Sequence, residues 1–470
     1  MRTAPFRNSY FGDKRLTKRA NSVMSAMISA GSCIINRIYC TTAEKTAAYR
    51  MINNDNITCE AITEAYRNEC VRSISSNDCF HVLCLQDTCE VNYEAHSVRM
   101  HKKGRKPGCV SNEEAGCFLH PVLAIDADSL TPHGFTFIKM WNREKGTPRC
   151  TKRGYKSLAP EQKESYRWAE AIDSTRELLG GKVKVTMLSD RESDVYEVLK
   201  RADDNVRIIV RSNQNRRLKG CNVKLHDKMA QLPVMGTYQF MVPASHGRKA
   251  RMATMEVRFA NVELERPANS KKDADANVRL NCIRVSESSD SVPHGAAPIE
   301  WILLTNHEVA TTDRAMQCVN WYKCRWFIEE LFRLLKKKGF AIEDIQLEDT
   351  ECLEKDILFA AYAAMHCILL KHAFDNPDYY RRIPAYRCYD IDEIETANFL
   401  MGNLNGRTVK QQNPYHKGSL AWMAWIVARL GCWCGYMSQP RPGYTTFKSG
   451  LDRLFQKCEM YKIMKDVYKG

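Results

Sequence analysis

The sequence predicts a mixed α/β protein with a helical segment at each end. Three observations carry this. Short apolar runs ending in an acidic residue alternate with amphipathic stretches between residues 80 and 212. Residues from about 213 to 306 read almost entirely as strands. Before residue 75 and after about 351 the apolar residues recur at helical spacing.

The N-terminal part opens with FGDKRLTKRANSVMSAM, in which Asp13 can cap a helix whose first turns hold Lys14, Arg15, Lys18 and Arg19. Residues 1–75 contain 11 Lys and Arg against 6 Asp and Glu, as expected of a small DNA-binding head. A basic helical cap on the next domain has the same composition. FHVLCLQD, CFLHPVLAID and GFTFIKMWNR follow as strands, with the turn-rich ADSLTPHG between the last two. LAPEQKESYRWAEAIDSTRELLG reads as a helix with Pro160 near its start and Gly180 at its end. VKVTMLSD is a strand, RESDVYEVLKRA a helix and VRIIVRS a strand. This order predicts a mixed sheet covered by helices. YQFMVPA, MATMEVRFANVELE, VRLNCIRVSE and IEWILLTN predict a β-rich insertion over 213–306, with ASHGRKAR and ANSKKDADA as its mobile tips. The expected division is 1–75, 76–370 with the insertion inside it, and a helical 371–470.

The chain has 470 residues, 44% hydrophobic and 27% charged, an ordinary balance for a protein with a packed core. Its net charge is +15 and its pI about 9.0, which suits a polyanionic partner such as nucleic acid. None of the 20 cysteines forms a C-x2-C pair, so the spacings argue against zinc. Met1 to Tyr10 lacks the apolar segment of a secretory signal, so the thiols are expected to stay reduced in a cytoplasmic protein. SLAWMAWIVARLGCWCGYM is about as long as a membrane span. Arg429 near its middle predicts a buried helix instead, and no membrane partner.

The chemistry lies in the acids that end strands, because sites in open α/β sheets gather at the carboxyl ends of strands. Asp87 and Asp190 each follow an apolar strand. Each also has a purely structural reading: Asp87 can begin a turn and Asp190 can cap a helix. A third acid comes from WYKCRWFIEELFRLLKKK, which reads as one uninterrupted helix from Trp321 to Lys338. At about 100° per residue, Tyr322, Arg325, Glu329 and Lys336 share a sector about 60° wide. Phe327, Ile328, Leu331, Phe332, Leu334 and Leu335 fill the opposite face. Three carboxylates can hold two hard divalent ions, and the cations on the same stripe can bind flanking phosphates.

These residues resemble the bacterial DDE transposases of the insertion-sequence-four family. Tyr322, Arg325, Glu329 and Lys336 match its Y-x2-R-x3-E-x6-K signature without a gap. QDTCEVNY and SDRESDVYEVL match its two aspartate motifs, at Asp87 and Asp190. Weaker similarity runs through FGDKRLTKR, AAYRMINNDNITCEAI, IEWILLTN and the 419–437 stretch. The resemblance implies a ribonuclease H-like catalytic core between a DNA-binding head and a dimerising tail. It implies two Mg2+ ions, with Mn2+ able to substitute, held by Asp87, Asp190 and Glu329. Tyr322, Arg325, Lys336 and Arg211 would contact DNA phosphates. Trp301 would stack on a flipped base, and Trp326 would be a second stacking residue or a lid. The implied partners are the inverted repeats ending the chain's own element, target DNA, and a second copy of the chain in a bacterial, nucleoid-associated complex. Two other functions use the same core: a DNA-binding protein that no longer cuts, and a structure-selective nuclease.

Overall fold

The computed structural model describes residues 5–7, 10–97, 108–144, 154, 158–242, 249–267, 277–336, 339–436, 438 and 440–467. ANSKKDADA, most of ASHGRKAR, and Lys337 and Lys338 lie outside the described residues. The strands among the described residues are β1 His81–Gln86, β2 Cys89–Asn92, β3 Gly116–Asp126, β4 Pro132–Trp141, β5 Lys184–Ser189, β6 Val206–Arg211, β7 Gly236–Val242, β8 Arg251–Leu264, β9 Val278–Glu287 and β10 Glu300–Thr305. With the helices they make a mixed α/β protein of two compact units. The first is Met1–Cys79, Thr88–Pro148 and Phe327–Gly470; the second is Phe80–Asp87 and Arg149–Trp326.

The first unit begins with helix Lys14–Ala30. The Asp13 carboxylate accepts the Arg15 N–H, and Gly31 ends the helix in the left-handed region, at φ 57°. Ala20, Val23, Met24, Met27 and Ile28 are buried, with helices Thr350–Asp375 and Tyr444–Val467 as neighbours. Thr350–Asp375 is the one described helix long and apolar enough to cross a membrane, and nearly all of it is buried in the fold. Asp349 caps it by accepting the N–H groups of Glu351 and Cys352. Helix Leu420–Leu430 buries every residue except Arg429, whose guanidinium donates to the carbonyls of Leu404 and Trp433. β2, β3 and β4 form an antiparallel ladder, and helix Cys59–Ser76 lies on β4.

In the second unit the strand order is β1-β5-β6-β10-β9-β8-β7. β1, β5 and β6 are parallel; every pairing from β6 outward is antiparallel. The strand-rich region over 213–306 thus adds its strands to the same sheet. The sheet coils, because Phe240 on β7 meets Trp301 on β10 with ring centroids 5.8 Å apart although two strands lie between them. Two helices differ from their sequence pattern. The stretch from 158 starts with two 3-10 turns and becomes α-helical only over Arg167–Leu179. The stretch after Asp190 is a 3-10 turn followed by the single-turn helix Tyr196–Leu199.

Gly134 permits the close approach of helix Cys59–Ser76 to β4. Its φ is +139°, and a Cβ there would sit 3.1 Å from the Cys70 Cβ. Gly134→Ala should therefore cost about 2–4 kcal/mol, from backbone strain plus overpacking. Gly418→Ala, at φ +80° with open space around it, should cost only about 1–2 kcal/mol. Chemical denaturation of the two variants checks the difference.

Candidate active site

The site is built on the parallel register of the second unit. Leu85 of β1 pairs with Leu188 of β5, and Leu188 with Ile209 of β6. Two residues further on, the same register sets Asp87 level with Asp190 and Asp190 level with Arg211. Side chains alternate along strands, so all three fall on one face, on strands about 4.8 Å apart. Both aspartates come just after their strands end, where the backbone turns away and leaves the carboxylates at the sheet edge.

Helix Thr312–Lys323 covers this face. At its depth, Thr186 Oγ1 lies 2.8 Å from Nε2 of His81 and 2.8 Å from Nε2 of His307. Trp321 packs edge-on against His81 at 4.9 Å and against His307 at 5.0 Å. Arg207 Nη1 reaches His307 Nδ1 at 3.3 Å. Burial, helped by Arg207, pushes the His307 imidazole down to about 3, so it is neutral at working pH. The cluster props the helix against the sheet.

At the sheet edge the helix delivers Tyr322 and then a turn. Arg325 Nη1 donates to Asp87 Oδ2 at 3.0 Å, and both side chains are largely buried. The Arg325 guanidinium also lies 6.0 Å from the Tyr322 ring centre. Arg211 donates to the Glu300 carbonyl at 3.1 Å. Burial raises the Tyr322 phenol while Arg325 and Arg211 pull it down. Burial lowers Arg211, against the pull of Tyr322. Trp301 is half-buried, between Phe240 and the Tyr322 ring, whose centre is 6.4 Å away. Asp190 accepts the Glu192 N–H at 2.9 Å through Oδ1 and so caps the 3-10 turn that follows.

The single helix expected from Trp321 to Lys338 is instead two. Helix Thr312–Lys323 ends in a tightened turn, where Cys324 and Arg325 donate to the carbonyls three residues back, Trp321 and Tyr322. A second helix runs Trp326–Leu335. No Gly or Pro marks the break; the turn takes Arg325 to Asp87 instead of leaving it on a helical stripe. Tyr322 and Arg325 thus belong to the second unit, while Glu329 and Lys336 belong to the first. Glu329 is half-buried in the first turn of its helix. Lys336 stands one residue past the helix end, 3.9 Å from the Glu343 carboxylate. Of the expected apolar face, Ile328, Leu331, Phe332, Leu334 and Leu335 are buried and Phe327 is half-buried. Trp326 is 60% exposed.

Sequence reasoning passed over Asp194, four residues after Asp190. Its side chain is fully buried and accepts from Arg216 at 2.7 Å and from the N–H groups of Asn213 and Gln214 at 2.7 and 2.8 Å. It ties the loop leaving Arg211 to the turn leaving Asp190. Its only signal in the sequence was a second aspartate in SDRESD.

On the opening helix of the first unit, Lys14, Arg15 and Lys18 are exposed and Arg19 is half-exposed, opposite the buried face. None of the four forms an ion pair among the described residues. Residues 2–57 match the family model described as transposase DNA-binding. The match spans this basic helix and supports a transposase, with DNA as its partner.

The buried imidazole generates a prediction. The folded His307 value of about 3 lies below the ordinary 6.5, so the unfolded chain takes up the proton first as pH falls. The stability held by neutral His307 is complete above pH 6.5 and is lost progressively towards pH 3. Between pH 7 and 4.5 this amounts to about 2–3 kcal/mol. His307→Gln should lose correspondingly less stability over that interval, as read from urea midpoints at the two pH values.

Proposed function

We propose that this chain is a cut-and-paste DNA transposase of the DDE type, with a ribonuclease H-like core. The observation that carries the reading is the level row of Asp87, Asp190 and Arg211 at one sheet edge. The transposase-type DNA-binding match at the N-terminus supports the same reading. In the reaction proposed, water cleaves one strand at the element's end and frees a 3′-hydroxyl. That hydroxyl attacks the opposite strand to form a hairpin, a second water opens the hairpin, and the 3′-hydroxyl then attacks target DNA. Each step exchanges one phosphorus–oxygen bond for another, so one site can serve all four.

Asp87 and Asp190 offer hard oxygen donors on neighbouring strands, which fits Mg2+ or Mn2+ better than a softer ion. Together with Glu329 they would hold two such ions, which when bound supply a Lewis acid for the attacking and leaving oxygens. Arg325 and Arg211 present guanidinium groups suited to paired contacts with phosphate oxygens. Tyr322 would hold a phosphate beside them; its hydroxyl is buried and has no hydrogen-bond partner among the described residues. Trp301 offers a half-open indole for a displaced base, and exposed Trp326 a second one. Lys14, Arg15, Lys18 and Arg19 would follow the backbone of the element's end, with Lys336 near the cleaved strand. A homodimer would pair two ends.

Asp87→Asn, Asp190→Asn and Glu329→Gln should each cut strand cleavage on the order of 10³-fold or more while leaving end-binding nearly intact. Gel-shift and nicking assays on DNA carrying the element's inverted repeat test this, and full nicking by any one variant removes that residue from the proposal. Neutralising Lys14, Arg15, Lys18 and Arg19 together should lower the log–log salt slope of binding by about 0.9 for each phosphate that these side chains neutralise in the unaltered chain. An unchanged slope would make the basic helix a cap and nothing more.

A further inference from the structure

Three side chains from distant parts of the sequence converge in the first unit. Cys79 follows helix Cys59–Ser76, Asp126 ends β3 and His133 lies in β4. One ligand atom from each lies within 4.8 Å of the others. Cys79 and His133 are buried and Asp126 is partly open. His133 Nδ1 is 3.0 Å from Ser73 Oγ. Its Nε2 is buried with no hydrogen-bond partner among the described residues, an arrangement that costs free energy unless something occupies that nitrogen. We propose that Cys79, Asp126 and His133 form a structural zinc site that pins the end of helix Cys59–Ser76 to the β3–β4 hairpin.

The chemistry of the donors selects the ion. A thiol, an imidazole and a carboxylate suit zinc, which takes sulfur, nitrogen and oxygen ligands in a tetrahedron, with water as the fourth. The surroundings are those of a metal ligand set. The Ser73 hydroxyl fixes the ring of His133, as a second polar group usually does for a metal-bound imidazole. One Asp126 oxygen is taken by the N–H groups of Asp128 and Ser129, at 2.9 and 2.7 Å, which holds the carboxylate in place. The Cys79 N–H donates to the Ile74 carbonyl at 3.2 Å, which anchors the cysteine backbone to the helix end. Binding would transfer the thiol proton to solvent and leave a thiolate on the ion.

The test uses the full chain purified without chelators. Elemental analysis should find one zinc per chain, and Cys79→Ser or His133→Gln should lose it or bind it at least tenfold more weakly. Cobalt(II) added to the metal-free chain should give a near-ultraviolet thiolate-to-cobalt charge-transfer band. That band should vanish in Cys79→Ser and survive in Cys40→Ser, which alters an exposed thiol elsewhere. The carboxylates at the sheet edge have no sulfur and cannot produce it. Chelation should also lower the melting temperature of the unaltered chain, a readout that needs no variant to fold. A chain without zinc and without the band, or a band untouched by Cys79→Ser, overturns the proposal.

Discussion

The parallel pairing of β1 with β5 is the constraint on which the site depends. A one-residue slip would turn Asp87 to the opposite face and part it from Asp190. The pairing is protected by burial. Val82 to Leu85 and Val185 to Leu188 are covered on both faces, so no slipped register would keep the core filled. Two carboxylates at one edge repel each other, and the fold offsets this with nearby guanidiniums. Arg325 arrives from a turn 238 residues away in sequence to pair with Asp87, and Arg211 lies level with Asp190 on the next strand.

Part of this arrangement could be read from the sequence. Apolar runs that end in an acid pointed to the two strand-end aspartates, because strand length and the loss of apolar character coincide there. Asp13 was legible as a cap because its side chain acts within its own turn. The apolar face from Ile328 to Leu335 was legible because its period is local. The turn at Cys324 and Arg325 was not. Neither residue breaks a helix by itself, and the contact that draws Arg325 away is made by a residue far off in the chain. Tyr322 looked like a displayed phenol on a helical wheel, but the wheel shows no neighbours, and the sheet buries it. The strand Cys89–Asn92 was missed for a similar reason: four residues carry too short a pattern, and pairing with β3 supplies the order.

The cysteines teach the same lesson from the other side. Spacing rules detect ligands that are close in sequence, as in a zinc finger, and found none. Cys79, Asp126 and His133 are joined by the path of the hairpin and the helix before it, which no spacing rule describes. Most of the other thiols are buried small hydrophobes, and those of Cys282 and Cys318 are pushed up by burial, which leaves them unreactive.

Part of the cluster beneath the aspartates has a determined proton order. A guanidinium only donates, so the Nδ1 of His307 facing Arg207 must accept. Neutral His307 then carries its hydrogen on Nε2 and gives it to the Thr186 oxygen. Thr186 can accept a second hydrogen or donate its own, so either tautomer of His81 satisfies the contact at its Nε2. Arg207, His307 and Thr186 therefore form a one-way run in which the His307 tautomer is dictated by its neighbours. A proton added at His307 would set an N–H against a cation, so this histidine has one arrangement and no charged alternative. At His307 the floor of the sheet edge is fixed in its hydrogens as well as in its heavy atoms.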